Sequence, residues 1–126
     1  MKTIMVVDDE ELVIKSIERL LIKNGYKVIV CRNGSVAIEA IKKENIDLII
    51  CDIRMPKLSG IDTIKKIREV RENEKKTIIP EILMTGYSDQ AINAEADKLH
   101  VSDYLYKPFD LSVFLATVKR SLGDGN

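Results

Sequence analysis

The chain has 126 residues, 45% hydrophobic and 32% charged, which is long enough to bury one core and too apolar for an unfolded chain. Its 20 basic and 20 acidic side chains cancel, so whole-chain charge supplies no reason to expect nucleic acid or an anionic membrane as a partner. Apolar runs such as IKSIERLLI and NIDLIIC are broken by charge or too short to span a bilayer, and Met1 leads directly into strand-like residues, so the expected location is the cytoplasm.

The first run of β-branched and apolar residues, TIMVV (3–7), reads as a strand and ends at Asp8-Asp9. Next, Val13, Ile17, Leu20 and Leu21 share a helical stripe that Asn24-Gly25 closes. KVIVC (27–31) is a second strand, and Ala37, Ile38 and Ile41 mark a second helix. DLIIC (47–51) is a third strand that delivers Asp52. Ser59 is the expected N-cap of a third helix, in which Ile61, Ile64, Ile67 and Val70 recur every third residue. REVRENEKK (68–76) reads as the solvated end of that helix and its loop. EILM (81–84) is a fourth strand leading to Thr85, with Ser88 as the expected cap of the fourth helix. DYLYK (103–107) is a fifth strand ending in Lys107-Pro108. Asp110 is the expected cap of a last helix carrying Leu111, Phe114, Leu115, Val118 and Leu122. Cys31 and Cys51 each close an apolar run and read as small buried hydrophobes in a reducing compartment, with a disulfide as the alternative.

Strand and helix alternate five times. That order implies an α/β fold, a doubly wound parallel sheet with helices on both faces. With no linker, repeat or low-complexity tract, the expectation is one domain over residues 1–126.

In an open parallel sheet the ligand crevice lies outside the carboxyl ends of the strands. Those ends carry Asp8 and Asp9, Asp52, Thr85 and Lys107. Taken one at a time each has a plainer use: Asp8-Asp9 as helix caps, Asp52 in a turn before Pro56, Lys107 as a solvated charge. Together they point to a site. Like charges ~4 Å apart cost about 4 kcal/mol at an effective dielectric near 20. A divalent cation relieves that repulsion, and all-oxygen ligation suits Mg²⁺ or Mn²⁺ rather than Zn²⁺. Such a cation commonly handles phosphate, and a carboxylate can attack a phosphoryl group to give an aspartyl phosphate. Lys107 and the Thr85 hydroxyl would then hold phosphoryl oxygens.

VVDDE (6–10), CDIRMPKLSGID (51–62), MTGYSD (84–89) and DYLYKPFDL (103–111) resemble, in order and spacing, the signature blocks of the bacterial two-component response-regulator receiver domain, chemotaxis regulators among them. The resemblance implies a flavodoxin-like (β/α)5 fold with strand order 2-1-3-4-5. It implies that Asp52 is the phosphoacceptor and that Asp9 and Asp52 ligate Mg²⁺ (or Mn²⁺), with the backbone carbonyl of Arg54 as a further ligand and Asp8 holding a coordinated water. It also implies that Lys107 binds a phosphoryl oxygen, aimed by a cis peptide before Pro108. The backbone N–H groups of Ile53 and Gly86 complete the cradle, and Thr85 and Tyr104 are the switch pair. The implied partners are a histidine kinase or phosphotransfer domain and a downstream effector domain or protein. A homodimer could form through the surface of the fourth helix, fifth strand and fifth helix, with no direct nucleic-acid or membrane contact. The expected role is a regulatory switch that phosphorylates and dephosphorylates itself rather than a turnover enzyme.

His100 departs from the family, many members of which have glycine there. Arg54 and Tyr87 follow Asp52 and Thr85 by two residues, where they could hinder a water attacking the phosphoryl group. Three other functions fit less well. An aspartate-nucleophile phosphatase wants a second acid where Arg54 stands, and a non-phosphorylated scaffold usually lacks one of the acids or the lysine. A flavin module would need a Ser/Thr/Gly-rich phosphate loop after the first strand.

Overall fold

The computed structural model describes residues 1–86 and 90–124. In chain order the elements are β1 (Thr3–Val7), α1 (Glu11–Lys23), β2 (Lys27–Cys31), α2 (Gly34–Lys43) and β3 (Leu48–Asp52), followed by α3 (Gly60–Asn73), β4 (Glu81–Gly86), α4 (Gln90–Asp97), β5 (Asp103–Lys107) and α5 (Leu111–Leu122). The strands form one parallel sheet in the order β2-β1-β3-β4-β5. β1 and β3 lie side by side because both are apolar on alternate residues in both directions and must be covered on both faces.

Alternation within the strands sorts the helices. Met5, Val7, Ile49, Cys51 and Leu83 pack on one face with Ala37 and Ile41 of α2, Ile64 and Ile67 of α3, and Ala96 of α4. Ile4, Val6, Leu48, Ile50, Ile82 and Met84 pack on the other with Ile17 and Leu21 of α1 and Phe114 and Val118 of α5. Every one of these residues is essentially solvent-free, and each fully buried Ile or Leu contributes about 2 kcal/mol of transfer free energy.

Register brings the strand ends level. One row of partners runs Cys31, Val7, Cys51, Leu83, Tyr104. Asp8 and Asp52 are each the next residue in their strand directions, and Lys107 pairs with Gly86 at the same edge. The strand expected at 47–51 is displaced by one residue to Leu48–Asp52, so the aspartate is the last residue of the ladder. The strand expected at 81–84 runs on to Gly86 and contains Thr85.

The helix ends divide between expected and unexpected. Asn24-Gly25 closes α1, with Gly25 at φ 88°. The Ser59 hydroxyl accepts the Asp62 N–H at 3.1 Å as a cap should. Asp110 occupies the N-cap position of α5 but makes no side-chain cap bond. Ser88 lies outside the described residues. Leu111 faces outward at 44% exposure rather than joining the α5 stripe, while Ile14 joins the α1 core unannounced. His100 takes the left-handed conformation, φ 52°, that a glycine would take at lower cost. The turn after α4 therefore holds a residue in a conformation that costs histidine more than it would cost glycine.

Candidate functional site

β1 and β3 end side by side, and their terminal acids are pressed inward by the helices above and below. Asp8 is fully buried and Asp52 only 4% exposed. Two buried carboxylates need a cation, and β5 supplies it. The Lys107 ammonium donates to Asp8 Oδ2 at 3.0 Å, lies 3.2 Å from Asp52 Oδ2, and donates to Glu10 Oε1 at 2.9 Å. The Lys107–Pro108 peptide is cis. Asp8 is held from behind as well: its Oδ1 accepts the Glu10 N–H at 3.0 Å, which bends the chain into α1.

Glu10 is the residue that reading the sequence missed. It sits in the N-cap position of α1 yet makes no cap bond, because its side chain turns back to Lys107. Carboxylate oxygens of Asp8, Glu10 and Asp52 all lie within 4.8 Å of one another. Asp9, expected among the ligands, is exposed and is not a member of that group. An acid in the first turn of a helix ordinarily reads as a partner for the helix dipole, so nothing local distinguishes Glu10 from Glu11.

Burial is the main influence on Asp52. Desolvation pushes its carboxyl up to about 6, the Asp8 charge adds to this, and Lys107 opposes both. Burial works against the Lys107 charge too, but Glu10, Asp52 and Asp8 outweigh it and hold the ammonium above the usual lysine range. Three acids around one ammonium leave the pocket short of positive charge. An all-oxygen donor set with that deficit fits a hard divalent cation.

Gly60 fixes the backbone under Asp52. Its N–H donates to the Ile53 carbonyl at 2.8 Å, and a Cβ at this position would lie 2.1 Å from the Asp52 carbonyl oxygen. Only glycine lets α3 start so close to the end of β3. The Ile53 N–H, expected in a phosphoryl cradle, donates instead to the Met84 carbonyl at 2.9 Å and continues the β3–β4 ladder. Gly86 is half-buried at the end of β4, and the Arg54 side chain is exposed.

The Thr85 hydroxyl, 5% exposed as a residue, donates to Asn93 Oδ1 on α4 at 2.8 Å and more weakly to the Gly86 carbonyl at 3.3 Å. Tyr104 is half-buried against the α2–α3–α4 face, and its hydroxyl donates to the Ala96 carbonyl at 3.0 Å. Burial pushes that hydroxyl up to about 12, so it stays a donor at any ordinary pH. Tyr87 lies outside the described residues. Cys31 and Cys51 are free and buried, one on each side of Val7, which rules out a bridge between adjacent partners. Among the described residues no helix is long and apolar enough to cross a membrane.

The family model described as the response regulator receiver domain matches residues 4–119. The chain is 36% identical over 119 residues to the transcriptional regulatory protein ZraR of Klebsiella oxytoca, covering 94% of this chain and 26% of that protein. It is thus about a quarter of the length of that relative. With the polar-differentiation response regulator DivK of Brucella anthropi it is 30% identical over 123 residues, 98% of each chain. The crystal structure of FixJ-N superposes with a TM-score of 0.84 at 28% identity, covering 98% of this chain and 94% of that one. Sequence blocks, strand order and the buried Asp8–Asp52–Lys107 cluster therefore converge on one assignment: the chain belongs to the family of response-regulator receiver domains of two-component systems.

Proposed function

We propose that Asp52 is the phosphoacceptor of this receiver domain and that Lys107, Thr85, Gly86 and Tyr104 read its state. The observation that carries this is the Lys107 ammonium 3.2 Å from the Asp52 carboxylate at the bottom of a buried acidic pocket. The donor is the phosphohistidine of a histidine kinase or phosphotransfer domain. A carboxylate oxygen of Asp52 forms the new bond to phosphorus as the P–N bond breaks, and the imidazole leaves with its electron pair and takes a proton. Water later attacks phosphorus and returns the free carboxylate and inorganic phosphate. Asp52, Asp8, Asp9 and the Arg54 carbonyl, with Glu10 in reach, would hold Mg²⁺ or Mn²⁺, which would supply charge neutralisation at the phosphoryl oxygens.

Lys107 holds one phosphoryl oxygen, and the Thr85 hydroxyl and Gly86 N–H hold another. The Ile53 N–H joins them only by giving up the Met84 carbonyl. Phosphorylation adds charge and strong acceptors at one point, so the equilibrium moves toward whichever arrangement places Thr85 on the phosphoryl group. Tyr104 then turns further inward and the α4-β5-α5 surface changes for a downstream effector domain, effector protein or second copy of the chain. Tyr106, Leu111 and Val113, all partly to half exposed, supply apolar area on that surface.

Beryllofluoride with Mg²⁺ is the test. Amide signals of Gly86 and Tyr104 shift in the native protein and do not shift in Asp52→Asn or with excess EDTA. An equal response in Asp52→Asn would move the phosphoacceptor elsewhere.

A further inference from the structure

α4 is weakly attached. Over its eight residues only Ala96 is buried among the side chains described, with Leu99 just beyond its end. Ile92 and Asn93 are half-buried and the remaining described side chains of the helix are exposed. Among the described residues, Thr85 Oγ1 donates to Asn93 Oδ1 at 2.8 Å and Tyr104 Oη to the Ala96 carbonyl at 3.0 Å, bonds that tie the helix to the sheet. Both donors belong to the pair that responds to Asp52 in the reading above.

A threonine hydroxyl has one proton to give. In this structure it goes chiefly to the Asn93 amide oxygen, a neutral acceptor, with the Gly86 carbonyl a weaker second at 3.3 Å. A phosphoryl oxygen on Asp52 is an ionised acceptor, and hydrogen bonds to ionised groups are roughly twice as strong. The two acceptors compete for the same proton, so Thr85 cannot serve the phosphoryl group while it serves α4. We propose that Asn93 is a positioning residue: it acts as the resting-state acceptor for the Thr85 hydroxyl, holds α4 in its unphosphorylated position, and is released when Thr85 turns to Asp52. This rests on the phosphoacceptor reading and adds to it a direct link from the switch hydroxyl to α4.

The link sets the affinity for phosphoryl groups as well as the geometry. Removing the competing acceptor leaves the Thr85 proton only the weaker Gly86 carbonyl in the resting state, so the balance moves toward the activated state by about the strength of one ordinary hydrogen bond. Strengthening that acceptor does the opposite. Asn93→Ala removes it and is compatible with a helix interior, whereas Asn93→Asp makes it ionised.

The experiment is a beryllofluoride titration at saturating Mg²⁺, followed at the Gly86 amide, in the native chain, Asn93→Ala and Asn93→Asp. Beryllofluoride binds about fivefold more tightly to Asn93→Ala and several-fold more weakly to Asn93→Asp. In a Thr85→Val background the Asn93→Ala effect disappears, an outcome that mere loosening of α4 would not produce. The α4 amides of resting Asn93→Ala also lie part-way toward their activated positions. Equal affinity in native and Asn93→Ala protein, or an effect that persists without the Thr85 hydroxyl, overturns the inference while leaving the phosphoacceptor reading intact. No beryllofluoride response in any of the proteins would overturn that reading and this inference together.

Discussion

Asp52 and Lys107 put a functional group and its partner under opposite constraints. In the folded chain burial lifts the Asp52 carboxyl to about 6 from its ordinary 3.8, so the native state binds that proton more tightly than the unfolded state does. Ionised Asp52 therefore costs stability. The cost is complete above pH about 6 and absent below about 4. Asp52→Asn removes the charge and should stabilise the metal-free protein at pH 7.5 by about 2 kcal/mol in urea denaturation. The gain should shrink as pH falls through 6. A variant no more stable than the native chain at pH 7.5 would mean that Lys107 already compensates the buried charge in full. Residue chemistry at this site was legible in the sequence only where the strand ends announce it. Asp8, Asp52, Thr85 and Lys107 lie at or next to the carboxyl ends of strands, so the parallel fold alone brings them to one edge. Glu10, at the N-cap of α1, and Asn93, within α4, sit where an acid or an amide looks like ordinary surface, and their roles depend on side-chain direction.

The start of α3 is the element on which the site leans hardest. Ser59 caps the helix, Gly60 bonds the Ile53 carbonyl, and the missing Cβ leaves room for the Asp52 backbone. Gly60→Ala cannot be absorbed by a rotamer change, because the atom it meets is a main-chain oxygen. It should cost about 2 kcal/mol of stability and slow acetyl-phosphate labelling of Asp52 severalfold, as the end of β3 is pushed away from Lys107. Normal labelling with normal stability would show that α3 yields freely at its start. Ser59 could be read from the sequence as a cap, since capping is local chemistry. The need for glycine at residue 60 could not, since it arises from a contact with Asp52 at the end of the preceding strand, eight residues earlier. Asp110 shows the reverse. Its position at the head of α5 was legible, yet no cap bond forms.

Across the whole molecule the sheet separates two polar clusters. Its carboxyl edge holds Asp8, Asp52 and Lys107, while Glu81, at the amino end of β4, is 4% exposed and paired with Arg68 of α3 through a two-pronged ion pair. Ser102 closes that end: its N–H donates to the Glu81 carbonyl at 2.9 Å and its hydroxyl accepts the Glu81 N–H at 3.2 Å. Arg68→Ala strands a buried carboxylate and should cost about 3 kcal/mol, measured by urea denaturation. The rate of Asp52 labelling at low temperature should not change, because the two clusters share no partner. A matching loss of labelling would reveal coupling along β4. Large-scale order was the most legible level: alternation of strands and helices, with Ile- and Val-rich central strands, permits little other than a parallel sheet covered on both sides. The Arg68–Glu81 pair is not legible in the sequence because REVRENEKK looks like solvated charge throughout, and only packing shows which arginine turns inward.

Phosphoryl transfer to Asp52 can be followed by intact-mass analysis and peptide mapping after incubation with acetyl phosphate and Mg²⁺. The expected result is a gain of one phosphoryl group, located on the peptide containing Asp52, lost in Asp52→Asn and blocked by EDTA. A phosphoryl group that maps to another side chain, or forms equally well without a divalent cation, would contradict it.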